Sequence, residues 1–241
     1  YGVEKAAVRT HDLAIIRDPY VALGLVVLVM VIVFLVTKMP KTGQTHSGDS
    51  AFKSMGRLIN NKLYMGGVVA QIFYVGAQIM CWTFIIQYAE NLGINKADAQ
   101  RYNIIAMGMF LSSRFISTFL MKYVNSRKLL MFFAIGGMMT TTGTILIQGM
   151  PGLYCLIATS AFMSLMFPTI YGISLEGIGE DATLGAAGLV MAIVGGALMP
   201  PIQGAIIDLG RVAWLPAVNF SFILPFICFL VIAWFGYTSM K

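Results

Sequence analysis

Seven apolar runs dominate the chain, near 19–37, 64–89, 102–121, 129–148, 153–175, 185–207 and 213–236. A helix rising about 1.5 Å per residue crosses a hydrocarbon core of about 30 Å in about 20 residues, so each run predicts one transmembrane helix. The last six follow one another closely. The first is set apart by the hydrophilic stretch 38–63, which carries Lys38, Lys41, Lys53, Arg57 and Lys62 around the turn-rich GQTHSGDS and reads as a mobile linker. One span, a basic linker and six more spans match half of a twelve-helix transporter preceded by the last helix of its other half, so the runs are numbered here as spans 6 to 12. The polar opening segment 1–18 has no signal-peptide pattern, and the chain reads as a piece of a longer protein.

Composition agrees with this pattern. Hydrophobic residues make up 58% of the 241 and charged ones 11%, against about half and about a quarter in soluble domains. The mean hydropathy is +0.81, which excludes a water-soluble enzyme and makes lipid the surrounding solvent. The net charge of +6 comes from Lys and Arg scattered over short connections, with no patch or stripe suited to nucleic acid. With the linker on the cytoplasmic side, nine basic residues lie on that side and six on the other. This excess predicts a cytoplasmic linker 38–63 and tail 238–241, an extracytoplasmic segment 1–18, span 6 at 19–37 and a six-helix bundle over 64–237. Cys81, Cys155 and Cys228 all fall in apolar runs without ligand spacing, so neither a metal nor a cofactor is expected.

Polar residues inside the spans carry the candidate chemistry, because each costs free energy in hydrocarbon unless partnered or solvated. On span 7, Gln71, Tyr74, Gln78 and Trp82 recur at helical spacing on one face. Amides that both donate and accept, beside an indole that packs on the apolar face of a ring, suit a sugar, although such groups also join neighbouring helices. Span 10 repeats the pattern with Ser160, Ser164, Phe167 and Tyr171. Pro168 there predicts a break, since it cannot donate to the carbonyl of Ser164. On span 11, Gly188, Ala192, Gly196, Pro200 and Gly204 form a ridge of small residues, expected to pack and slide against another helix.

Arg114 is the one charged residue well inside a span, and a structural pair with Glu176 is expected. All ten acidic residues fall in loops or near helix ends, so this chain offers no midplane carboxylate for proton coupling.

Three segments carry a resemblance: FYVGAQIMCW from Phe73, SAFMSLMFPTIYG from Ser160 and MAIVGGALMPPIQG from Met191. Together they resemble the fucose permease family of the major facilitator superfamily, over most of 67–210. The glucose and galactose carriers of that family typically read YVGAE where this chain has YVGAQ, from Tyr74 to Gln78. Ser113 stands where the family usually has Gly, and Phe167 where fucose permeases can have Tyr.

The resemblance implies an all-α polytopic protein of the bacterial inner membrane, with seven of twelve transmembrane helices present. It implies symport of L-fucose or a related hexose with a proton by alternating access. The protonatable carboxylates would lie in the missing first half. Gln71, Tyr74, Gln78, Trp82, Ser164, Phe167 and Tyr171 become the candidate substrate contacts. A glucose or galactose transporter is the alternative within the family, and a membrane sugar sensor is the alternative of another class.

Overall fold

The computed structural model describes residue 17 and residues 21–33, 48–212 and 214–240. Most of segment 1–18, both ends of span 6 and linker positions 38–47 lie outside the described residues. Residues 1–47 and Gly48–Lys241 form two units, taken separately below. In the first, Val21–Val33 is helical and apolar throughout (α1).

Six helical spans make up the second unit: Lys62–Asn91, Lys96–Leu120, Ser126–Leu146, Met150–Leu175, Gly179–Ile207 and Ala217–Ser239. They correspond to runs 7 to 12, and asparagines set where three of them begin. After a short helix α2 (Gly48–Asn60), helix α3 (Lys62–Asn91) starts where Asn61 Oδ1 accepts from the backbone N–H of Leu63 and Tyr64. Helix α4 (Lys96–Leu120) is capped by Asn95 and α5 (Ser126–Leu146) by Asn125. These caps satisfy N–H groups that the first turn leaves open. Helix α4 therefore begins six residues before its apolar run at 102, because the cap and the Asp98–Arg101 pair support a polar first turn.

Spans 10 and 11 are broken. Span 10 consists of α6 (Met150–Met163) and α7 (Met166–Leu175). The interruption at Ser164 and Leu165 falls one turn before Pro168, where the missing N–H places it. Span 11 opens with a 3-10 turn (Gly179–Asp181), continues as α8 (Ala182–Met191), tightens to a second 3-10 turn at Ala192–Val194 and resumes as α9 (Gly195–Ile207), which contains Pro200 and Pro201. A short antiparallel ladder, β1 (Arg211–Val212) with β2 (Leu215–Pro216), occupies the start of run 12. Span 12 follows as α10 (Ala217–Ser221) and α11 (Ile223–Ser239).

Helix α3 is the central element and packs against α4, α6, α7, α9 and α11. One buried network ties its far end to two other elements, α5 with its C-terminal cap and α10. Asn219 Nδ2 donates to the Tyr88 hydroxyl (3.0 Å) and to the Thr144 carbonyl (3.1 Å), while the Tyr88 hydroxyl donates to the Ile147 carbonyl (3.2 Å). Polar groups are thus partnered where water is absent.

The second half of the stretch expected as a mobile linker is helical. Within α2, Leu58 is buried and Arg57 donates to both oxygens of Asp181, each at 2.7 Å. This bidentate pair joins α2 to the start of span 11, a contact across 124 residues of sequence.

Candidate functional site

The stripe on α3 changes character along its length. Gln71 and Tyr74 are fully buried within the bundle, whereas Gln78 and Trp82 are only half-buried. The Tyr74 hydroxyl donates to the carbonyl of Met163 (3.0 Å), the last residue of α6, and so satisfies a group near the break in span 10. In this structure the phenol joins two helices. The Gln71 amide is enclosed and neither of its polar atoms has a hydrogen-bond partner.

Trp82 organises the open part of the wall. Its indole N–H donates to Ser160 Oγ on α6 (3.4 Å), and its ring meets Phe110 of α4 edge to face, with centroids 5.1 Å apart. The guanidinium carbon of Arg114 lies 6.0 Å from the same Phe110 ring, within cation–π range. A ladder of Ser160, Trp82, Phe110 and Arg114 thus runs across three helices. Arg114 is exposed.

The expected Arg114–Glu176 pair is not formed. Glu176 accepts instead from Arg127 of α5 (2.6 Å), and among the described residues no carboxylate is within ion-pair distance of Arg114. Arg127 starts the neighbouring helix at the same end of the bundle as Glu176, whereas Arg114 is turned toward Phe110.

On span 10, Ser164 is fully buried, its Oγ within hydrogen-bond distance of Ala161 O (2.8 Å) and of Ser113 Oγ (3.1 Å). Ser113 in turn donates to Ala161 O (2.8 Å), so these hydroxyls join α4 to α6. In this structure Ser164 is a helix-joining group. Phe167 and Tyr171 remain half-buried, their rings stacked at 6.5 Å with 11° between planes, and Tyr74 meets Phe167 edge-on at 6.0 Å.

The small-residue ridge of span 11 runs along α3. An added Cβ at Gly188 would meet the Tyr64 hydroxyl, at Gly196 Ile79 (3.0 Å) and Val75 (3.1 Å), and at Gly204 Phe84 (3.9 Å). Ala192 is buried and Pro200 half-buried. The tightest backbone approach is at Gly195, outside the ridge, where a Cβ would strike the carbonyl of Ile72.

Gln78, Trp82, Phe167 and Tyr171 are the half-buried remainder of the sequence-derived set. Phe110, Ser113 and Arg127 were missing from it. The spacing of four between Phe110 and Arg114 was the available signal for the first. These groups form a half-open wall of one amide and several aromatic rings, with an arginine at its edge. Such a wall can hydrogen-bond hydroxyls and cover the apolar face of a ring.

No protein-family model matches the chain. It is 62% identical over 239 residues to the L-fucose-proton symporter of Haemophilus influenzae, covering 99% of this chain and 56% of the relative. It is 29% identical over 229 residues to the glucose/galactose transporter of Brucella abortus, covering 94% and 54%. Among solved structures it superposes on the major facilitator superfamily transporter FucP in the outward conformation, with a TM-score of 0.80, 28% identity and coverage of 93% of this chain and 55% of that one. The chain spans about half the length of the curated relatives it matches.

The fold is that of a multi-pass membrane protein of the major facilitator superfamily, a plasma-membrane class that in bacteria occupies the inner membrane. Within that superfamily the chain belongs to the fucose permease family.

Proposed function

We propose that the protein containing this chain is a secondary transporter that carries L-fucose together with a proton by alternating access. The chain supplies one wall of the sugar pathway. The observation that carries the reading is the 62% identity to an L-fucose-proton symporter across nearly the whole chain, more than twice the 29% shared with a glucose/galactose transporter. The half-open wall supports it: Gln78 bonds sugar hydroxyls, Trp82 covers the apolar ring face, and Phe167 stacked on Tyr171 offers the apolar surface that a methyl group needs. The ridge of span 11 is the surface along which helices repack during transport. The proton is handled outside this chain, whose ten acidic residues all lie in loops or near helix ends. In this reading the linker and tail face the cytoplasm and 1–18 faces outward. The protein is a carrier, not an enzyme.

Competition tests the substrate. Uptake of labelled L-fucose by cells expressing the complete protein should be suppressed more by unlabelled L-fucose than by D-glucose or D-galactose. One apolar contact with the methyl group accounts for about 1–3 kcal/mol of preference. Stronger suppression by glucose would select the glucose/galactose alternative, and binding without uptake would select the sensor.

Two substitutions test the wall. Gln78→Ala should weaken L-fucose binding by about 1–3 kcal/mol, because sugar hydroxyls lose a partner in a desolvated site. Trp82→Ala should weaken it by a similar amount through the lost ring face. Calorimetry on folded variants measures both, and unchanged affinity in the pair would remove the sugar from this wall.

A further inference from the structure

A cavity of about 780 Å³ lies between the first and last helices of the bundle, lined by α3, α11 and the start of α5. This is not the sugar-facing wall, which α3 forms with α4, α6 and α7. Two cations, Lys62 and Arg127, mark one end of the cavity, with the hydroxyls of Thr238 and Ser239. Lys62 is exposed and has no acidic partner among the described residues, while Arg127 holds Glu176 through one of its terminal nitrogens. Farther along, the lining is apolar. From Lys62 to Val69 is seven residues, about 10 Å of helix at 1.5 Å each, and over that depth the lining changes from charged through hydroxylic to Gly66, Val69, Val231 and Trp234. Gly66 suits this shape: a Cβ there would come within 3.2 Å of the Phe235 ring, close enough that the ring would have to shift by a few tenths of an ångström. Val69 (41% exposed) and Trp234 (66% exposed) leave the apolar part open to the surroundings.

Charge at the membrane surface, hydroxyls just beneath it and an open apolar trough below follow the profile of one kind of molecule. We infer that this groove binds an anionic phospholipid. Lys62 and the free face of Arg127 hold the phosphate, and an acyl chain lies along Gly66, Val69 and Trp234. The start of α3 and of α5 adds positive helix ends at the same level. A zwitterionic lipid brings its own cation next to the phosphate, which weakens its net attraction to Lys62 and Arg127, and a soluble anion would leave the trough uncovered. In the orientation proposed above the groove opens to the cytoplasmic leaflet, where anionic lipids attract basic residues next to spans. The bound lipid would brace α11 against α3 while the opposite face of the bundle rearranges.

Native mass spectrometry of the complete protein in detergent, titrated with phosphatidylglycerol and phosphatidylcholine of the same chain length, tests the inference. The protein should retain phosphatidylglycerol about fivefold better than phosphatidylcholine, the weight of one basic residue at an anionic surface. Lys62→Gln, a change at an exposed position, should bring the two lipids to near parity, and Lys62→Arg should keep the preference. Trp234→Ala should reduce retention of both lipids alike. Inorganic phosphate should fail to displace the lipid. Equal retention of the two lipids by the unmodified protein, an unchanged preference in Lys62→Gln, or displacement by inorganic phosphate alone would overturn it.

Discussion

Arg114→Gln is expected to reduce L-fucose uptake by the complete protein about a hundredfold while leaving it folded in the membrane. A guanidinium six residues before the end of α4 lies about 9 Å inside the helix, and a charge at that depth requires water, a ring face or a counter-charge. Arg114 has the Phe110 ring and, among the described residues, no carboxylate. It is exposed next to Phe110, whose ring meets Trp82, so a partner for it would come from outside this bundle: water, sugar hydroxyls acting as neutral acceptors, or a carboxylate of the first half. With a carboxylate of the first half closed over it in the complete protein, removing the arginine would cost about 3–5 kcal/mol, because the other charge is left uncompensated. That range corresponds to a hundredfold or more in affinity or rate. Arg114→Lys should restore only part of the activity, since it keeps the charge but lacks the planar fork and the stacking face. Initial rates normalised to the amount of protein in the membrane measure the effect. Full-rate uptake by Arg114→Gln would show that the arginine merely reaches the interface.

The spans were legible because hydropathy is a property of each segment by itself. The helix starts were not legible from the apolar runs: asparagine caps set them, and Asn95 moves the start of α4 six residues ahead of its run. Helix α2 was not legible. Its sequence, GDSAFKSMGRLIN, looks like a turn-rich linker, and what holds it is Leu58 in an apolar cluster and Arg57 on Asp181, both distant in sequence. The same limit applies to the wall. Helical spacing placed Gln71, Tyr74, Gln78 and Trp82 on one face, but periodicity does not tell which part of a face another helix covers. Here both Gln71 and Tyr74 are covered within the bundle, Tyr74 by Met163 at the end of α6 and Phe167 of α7. Arg114 and Glu176 were matched by depth alone, without the rotation of each helix, and Arg127 was the nearer partner.

Gly195→Ala is expected to destabilise the protein by about 3 kcal/mol or more, and the neighbouring Gly196→Ala by about 1 kcal/mol or less. The unbroken spacing of four from Gly188 to Gly204 points to Gly196 as the contact. The 3-10 turn at Ala192–Val194 changes the phase. Three residues at about 120° each, rather than about 100°, rotate everything beyond them by about 60° and bring Gly195 toward α3. A methyl group at 195 strikes the Ile72 carbonyl, a backbone atom held inside α3, whereas at 196 it meets the side chains of Ile79 and Val75 at 3.0 and 3.1 Å, which can turn aside. From the other helix, a Cβ at Gly76 would come within 2.5 Å of Met199 Cγ and 3.4 Å of the Gly195 carbonyl, so the crossing is close on both sides. Small residues allow such approach where no hydrophobic effect drives helices together. Tryptophan fluorescence during thermal unfolding in detergent should show a clearly lower midpoint for Gly195→Ala and little change for Gly196→Ala. Equal midpoints would mean that the 3-10 turn does not rotate the lower half of span 11, and the ridge as read from spacing alone would then be the true contact.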